Sequence, residues 1–202
     1  KVDENRVNID ELDDDETDGG YIMELDAYYD EAFKFRSPVR DLPYMFKDPD
    51  EVNDAQFEFI RKYVTELEDA LYDDQRFAAG EYMDFIDIES FADWWIVMEL
   101  TGIWEPNHPK STYMHKDKGG KLVMGPVWDF DWETYMPKTW FSISESLYYK
   151  RLFQDPRFVE VVKERWKMYR DDYETLPENN AQMLAFREEV NNTISALVEK
   201  KA

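Results

Sequence analysis

The segment 88–101 constrains the fold of this chain most, because its large apolar side chains would surround a helix almost completely. These side chains are Phe91, Trp94, Trp95, Ile96, Val97, Met98 and Leu100. A helix that is apolar on all sides is buried inside a protein. Asp87 suits the N-cap of this helix and Gly102 its C-terminal stop. The sequence therefore predicts a buried central helix around which the rest of the chain must pack.

Helical periodicity also dominates the middle and the end of the chain. Apolar residues at spacings of three and four predict an amphipathic helix at about 54–73, with Asp54 as a cap near its start. The same spacing predicts two helices in the C-terminal part, at about 158–173 and 183–197, with Pro177 between them. Most of the ordered residues are therefore expected in helices.

Two further segments have the pattern of β structure. A Gly-Gly turn leads into the segment 21–26 (YIMELD), which predicts a strand. Residues 111–127 contain two extended runs around Gly119-Gly120 and predict a hairpin beside the buried helix. A proline-rich loop at 105–109 precedes this hairpin, and an aromatic loop at 128–141 follows it. The fold class is therefore predicted to be α+β.

Charge and composition exclude several classes of function. The 202 residues have a formal net charge of −22, which repels nucleic acids and anionic membranes and favours divalent cations and basic polypeptides. Cysteine is absent, and His108 and His115 are the only histidines, so thiolate and multi-histidine metal sites are excluded. No apolar run approaches the roughly 20 residues that a membrane-spanning helix needs.

The end of the predicted hairpin carries two acids with a candidate role in chemistry. Asp129 and Asp131 each stand beside an aromatic residue, and alternation along a strand would send both side chains to the same side. Two close carboxylates require a metal ion, a basic side chain or a shared proton. Mg²⁺ is typically held by one or two carboxylates together with substrate phosphates. Alternatively, both acids cap a loop and accept hydrogen bonds from backbone amides.

Three segments together resemble the spore coat protein H (CotH) kinase family, in residue type, order and spacing. They are 19–26 (GGYIMELD), 90–102 (SFADWWIVMELTG), and 111–117 (STYMHKD) running on through 126–131 (PVWDFD). The resemblance is best over about 19–135, and the helical tail resembles extensions of homologues from gut Bacteroidetes. The resemblance implies a kinase-like core at 19–142 and a helical extension at 143–202, and the strongly acidic residues 1–18 form a separate N-terminal segment.

The resemblance implies an atypical protein kinase that uses ATP and Mg²⁺ or Mn²⁺ to phosphorylate Ser or Thr in secreted or surface proteins. Asp129 falls where the family has its metal-binding Asp, and Asp131 is the second expected ligand. Glu105 stands where the family has its catalytic Asp, and its side chain is one methylene longer. The expected location is extracellular or at the cell surface. The expected partner is a protein substrate, and the net charge of −22 favours a basic one.

The resemblance also implies that part of a kinase lies upstream. A kinase needs a loop over the phosphates and a lysine on them, and no stretch of the sequence has this pattern. We therefore expect these parts before Lys1, with the chain forming mainly the C-terminal lobe.

Two alternatives to a kinase stay open. One is a non-catalytic surface or assembly module that contacts partners through Trp132, Tyr135, Trp140 and Phe141. The other is a carbohydrate hydrolase that uses Glu105 with Asp129 or Asp131, since glycosidases use paired carboxylates roughly 5–10 Å apart.

Overall fold

A computed structural model describes Val2, residues 6–131, Thr134, Phe141 and residues 143–179, with side chains described up to residue 170. By compactness the chain divides into two units, Lys1–Val162 and Lys163–Ala202. The sheet and the candidate site belong to the first unit. The division of the sequence into segments 1–18, 19–142 and 143–202 stays a prediction.

An antiparallel sheet of five strands lies in the first unit, in the order β2-β3-β1-β4-β5. The strands are β1 Tyr21–Leu25, β2 Lys34–Arg36, β3 Pro43–Asp48, β4 Thr112–Lys116 and β5 Leu122–Met124. All five residues of the central strand β1 are buried, including Glu24, whose carboxylate lies 3.2 Å from the Lys47 ammonium. The sheet and the helices together give the α+β class that the sequence predicts.

Helices contain more of the described residues than strands do. The α-helices are α1 Asp54–Tyr72, α2 Asp74–Ala79, α3 Ile88–Thr101, α4 Tyr149–Leu152 and α5 Pro156–Asn179, with 3₁₀ turns at Glu81–Asp84 and Glu105–Asn107. The cap of α1 is Asn53 rather than Asp54, because the Asn53 side chain accepts from the Ala55 and Gln56 amides. The Gln56 side chain accepts in return from the Asn53 amide, which completes a capping box.

The buried helix α3 agrees with the sequence prediction at both ends. Asp87 caps its start by accepting from the Ser90 amide, and Gly102 ends it with a left-handed φ of 67°. Trp94 and Trp95 are only 4% and 7% exposed. The predicted hairpin lies beside this helix, because the Ser90 hydroxyl accepts a hydrogen bond of 3.0 Å from the Met124 amide of β5.

The C-terminal prediction was wrong at Pro177. Helix α5 continues through this residue to Asn179 instead of ending before it. The helix therefore tolerates the absence of a backbone N–H donor at Pro177. The second predicted C-terminal helix, at about 183–197, lies outside the described residues.

The acidic N-terminal segment is bound to the sheet and to helix α1. The Gln56 side chain donates to the backbone carbonyls of Asp13 and Glu16. Lys116 of β4 is almost fully buried, and its ammonium donates to the Asp18 carboxylate. The acidic N-terminal segment therefore makes specific contacts with the rest of the fold.

Candidate functional site

Glu105 lies in the short 3₁₀ turn that follows α3. Gly102 ends the helix, and the chain then turns so that the Glu105 side chain is buried, with a relative exposure of 8%. The Lys110 ammonium lies 3.6 Å from its Oε1. A buried carboxylate without such a partner would be costly.

Asp129 and Asp131 lie in a turn beyond the hairpin rather than on a strand. Strand β5 ends at Met124, so the expectation that strand alternation aligns the two acids was wrong. Asp129 instead has a φ of 64°, in the left-handed region that non-glycine residues rarely adopt. The turn still brings the two side chains together, because they share a hydrogen bond.

The three carboxyl groups Glu105, Asp129 and Asp131, here named the carboxylate cluster, interact electrostatically. Burial raises the pKa of Asp129, and the charge of Asp131 and the hydrogen bond with it raise the pKa further, while Lys110 opposes the change. Burial also raises the pKa of Glu105. The charge of Lys110 lowers this pKa, while the charges of Asp129 and Asp131 raise it. Like charges held this close disfavour the fully ionised state.

Lys110 is a site residue that sequence reasoning missed. Its ammonium lies 5.3 Å from the centre of the Tyr28 ring as well as beside Glu105. Lys110 also acts on Asp129, so one cation faces two members of the carboxylate cluster. The only sequence signal was its position five residues after Glu105, which does not show spatial proximity to Asp129.

A cavity of about 230 Å³ opens at this point. Its lining residues are Asp26, Ala27, Tyr28, Trp104, Glu105, His108 and Lys110. Tyr28 and Trp104 are large aromatic side chains with exposures of 72% and 47%. Asp26 has a structural role, because its carboxylate accepts from the Tyr28 and Ser111 amides and so ties the two loops of the cavity together.

The turn that carries Asp129 is packed against the sheet by aromatic rings. Trp128 meets Tyr113 of β4 edge to face, with 6.3 Å between ring centres. Burial, together with nearby carboxylates that include Asp129, raises the pKa of the Tyr113 hydroxyl. Tyr113 therefore stays protonated at neutral pH and adds no negative charge to the cluster.

The carboxylate cluster fits a divalent cation only if phosphate oxygens complete the coordination. Among residues 6–131 and the other described positions, no group of three or more His, Asp or Glu side chains is arranged to hold a metal ion. Asp129 and Asp131 share a hydrogen bond, so two carboxylates are at hand and repel each other. This donor set suits Mg²⁺ or Mn²⁺ shared with a nucleotide rather than a closed protein cage.

The aromatic residues predicted as a contact surface are mostly not described. Trp132, Tyr135 and Trp140 lie outside the described residues. Phe141 is 65% exposed and stacks on Trp95 with 5.7 Å between ring centres. No helix in the part of the chain that the structure describes is both long and apolar enough to cross a membrane.

The fold and the site define an α+β protein in which a buried glutamate and a lysine line one cavity. Asp129 and Asp131 interact electrostatically with that glutamate. The chain belongs to the CotH kinase protein family, whose family model matches residues 2–197. This match extends well beyond the range 19–135 in which the sequence motifs are clearest. No curated protein and no solved structure matches the chain.

Proposed function

We propose that the chain provides the catalytic carboxylates of an ATP-dependent protein kinase that phosphorylates Ser or Thr. The observation that carries this proposal is that Lys110 interacts with both Glu105 and Asp129, while the charges of Asp129 and Asp131 act on Glu105. Membership of the CotH kinase protein family supports the reaction class. Catalysis of phosphoryl transfer is mostly positioning and electrostatic stabilisation, which this set of groups can supply.

Asp129 and Asp131 would hold Mg²⁺ or Mn²⁺ together with the phosphates of ATP. When bound, the cation would neutralise negative charge on the transferred phosphoryl group. The left-handed backbone at Asp129 supports this role, because strained conformations are concentrated at functional sites. A bound cation would also offset the repulsion between the two side chains, which contributes to the raised pKa of Asp129.

Glu105 would orient the acceptor hydroxyl and take its proton. Its burial and its raised pKa suit a carboxylate that accepts a proton near neutral pH better than a solvated glutamate would. Lys110 would keep Glu105 ionised and in place through its ion pair. The Lys110 ammonium would also attract phosphate oxygens into the cavity.

The acceptor would be a secreted or surface protein of basic character. The net charge of −22 favours encounter with a basic polypeptide and disfavours nucleic acid. A location outside the cell or at its surface is proposed on family membership alone.

Phosphotransfer from radiolabelled ATP to a Ser-containing basic protein tests the proposal, on the 202-residue chain and on any longer native form. We expect Asp129→Asn and Glu105→Gln each to lower the rate by on the order of 10²-fold or more, because both remove a charge at the reacting groups. Asp69→Asn is the matched control, since Asp69 lies on the exposed face of α1. Equal rates in all three variants would refute the assignment.

A non-catalytic module is the second candidate, and the substitution of Glu105 for the family's Asp favours it. Such a module would transfer no phosphate, either as the 202-residue chain or in a longer native form. Retained Mn²⁺ binding without transfer would then describe a fold that kept its metal site and lost the reaction.

A further inference from the structure

A second cavity, of about 330 Å³, lies next to the candidate site. The two cavities share Ala27 in their linings. The 3₁₀ turn after α3 also separates them, because Glu105 lines the first cavity while Pro106 and Asn107 line the second. A chain segment lying at Glu105 can therefore place a neighbouring side chain in the second cavity.

Arg40 is held rigidly at the wall of this second cavity. The buried Glu68 carboxylate of α1 accepts from the Val39 and Arg40 amides, at 2.7 and 3.2 Å. The Arg40 Nε then donates to the Leu147 carbonyl at 3.0 Å. Both the backbone and the guanidinium of Arg40 are thus fixed before any ligand arrives.

The outer edge of the Arg40 guanidinium is available for a ligand. Within the described part of the chain, its Nη1 and Nη2 donate no hydrogen bond, although a guanidinium has five N–H donors. The other charged groups of the cavity have partners. Arg36 binds Asp41 at 3.2 Å, and Glu145 lies 2.5 Å from Lys150.

The backbone around this cavity is strained at two points. Asp41 and Leu147 both line it, and they have φ values of 55° and 49°. Leucine rarely adopts such a conformation, and strain of this kind persists where the surrounding structure enforces it, often at ligand sites. Leu147 is also the residue whose carbonyl fixes Arg40, so the strained turn takes part in positioning the guanidinium.

We propose that this cavity binds the carboxylate of an acidic side chain on the acceptor polypeptide, with Arg40 as the residue that determines specificity. The guanidinium edge matches a carboxylate in a forked pair of hydrogen bonds, which a lysine cannot reproduce. The acidic residue lies a few positions from the accepted Ser or Thr, because the two cavities are adjacent. This last statement depends on the proposed kinase function, whereas carboxylate binding itself does not.

Peptide binding without nucleotide tests the proposal. Fluorescein-labelled, lysine-rich peptides with one Ser carry a Glu two, three or four residues away, and matched peptides carry Gln instead. Fluorescence anisotropy measures the Kd of each peptide for the 202-residue protein. We expect at least one Glu peptide to bind about tenfold more tightly than its Gln partner, as a charge-assisted forked pair implies.

Variants then assign the preference to Arg40. Arg40→Gln removes the difference between the Glu and Gln peptides, and Arg40→Lys keeps only part of it. Arg61→Gln is the matched control, because Arg61 is exposed on α1, pairs with Glu58 and does not line the cavity. Circular dichroism checks folding, and if Arg40→Gln does not fold, Arg40→Lys decides.

Equal Kd values for every Glu and Gln pair in the wild-type protein would overturn the proposal. If the Kd ratio between the Gln and Glu peptides is as large in Arg40→Gln or Arg40→Lys as in the wild-type protein, the role of Arg40 is overturned. A preference for Glu in a protein that transfers no phosphate would support this cavity and refute the kinase function. Phosphotransfer with equal Kd and equal KM for the Glu and Gln peptides would support the kinase function and refute carboxylate binding in this cavity.

Discussion

At the scale of single residues, Glu105, Asp129 and Lys110 account for the electrostatics of the candidate site. The site holds acids together that repel each other, and one lysine offsets part of that repulsion. Functional groups held in this way are stabilised by the rest of the fold, and replacing them commonly raises stability while lowering activity. The raised pKa values of Glu105 and Asp129 are therefore the most direct signature of the interaction.

Removing one charge should change the pKa of its neighbour in a known direction. In Asp129→Asn, the pKa of Glu105 falls because one repelling charge is gone, and in Lys110→Gln it rises because the attracting charge is gone. Carbon-13 NMR titration of the Glu105 carboxyl measures both changes. Asp69→Asn should leave the titration unchanged, and an unchanged pKa in Asp129→Asn would show that the two groups do not interact.

The same variant should have a pH-dependent effect on stability. A raised pKa means that the folded protein binds more protons than the unfolded chain, so this contribution to stability falls as pH rises through the raised value. Asp129→Asn should therefore raise the Tm at neutral pH, and the gain should disappear once the pH is below the ordinary carboxyl values. A gain that persists at acid pH would point to another cause.

At the scale of elements, the buried helix α3 was predictable to its ends, whereas strands β2 and β3 were not. The apolar surround of α3 and its Asp87 and Gly102 caps carry enough local information to set both boundaries. Strands β2 and β3 were missed because β2 has only three residues and alternates Lys-Phe-Arg. Their pairing depends on contacts distant in sequence.

Truncating a side chain of α3 tests how far the helix supports the fold. Trp94→Ala should cost about 3–5 kcal/mol of unfolding free energy, because it leaves a cavity in the core. Leu100→Ala on the same helix should cost about 1 kcal/mol or less, since Leu100 is 36% exposed. Urea denaturation followed by circular dichroism gives both values. Similar costs for the two variants would contradict the assigned burial.

At the scale of the whole molecule, the acidic charge and the local site have different roles. A net charge of −22 acts over about a Debye length, ~10 Å at 0.1 M salt, and selects basic partners without regard to their sequence. The Arg40 cavity then provides a local exception, a site for one carboxylate. A basic acceptor with a single acid near its Ser or Thr satisfies both features.

The sequence singled out three acids that the structure brings into interaction, but it did not give their geometry. Asp129 and Asp131 stood out through their spacing and Glu105 through the family resemblance, whereas the turn at Asp129 replaced the expected strand. Lys110 was missed because its role depends on folding, which brings it to both Glu105 and Asp129. Nothing in a linear pattern marks a cation that serves acids on two separate loops.

Calorimetric titration with Mn²⁺ and a non-hydrolysable ATP analogue tests the central claim most directly. If the carboxylate cluster holds a cation shared with nucleotide phosphates, wild-type protein binds the pair, and binding weakens by about tenfold or more in Asp129→Asn, which removes one ligand charge. Asp69→Asn should bind as the wild type does. Binding of equal strength in Asp129→Asn and Asp69→Asn would contradict the account.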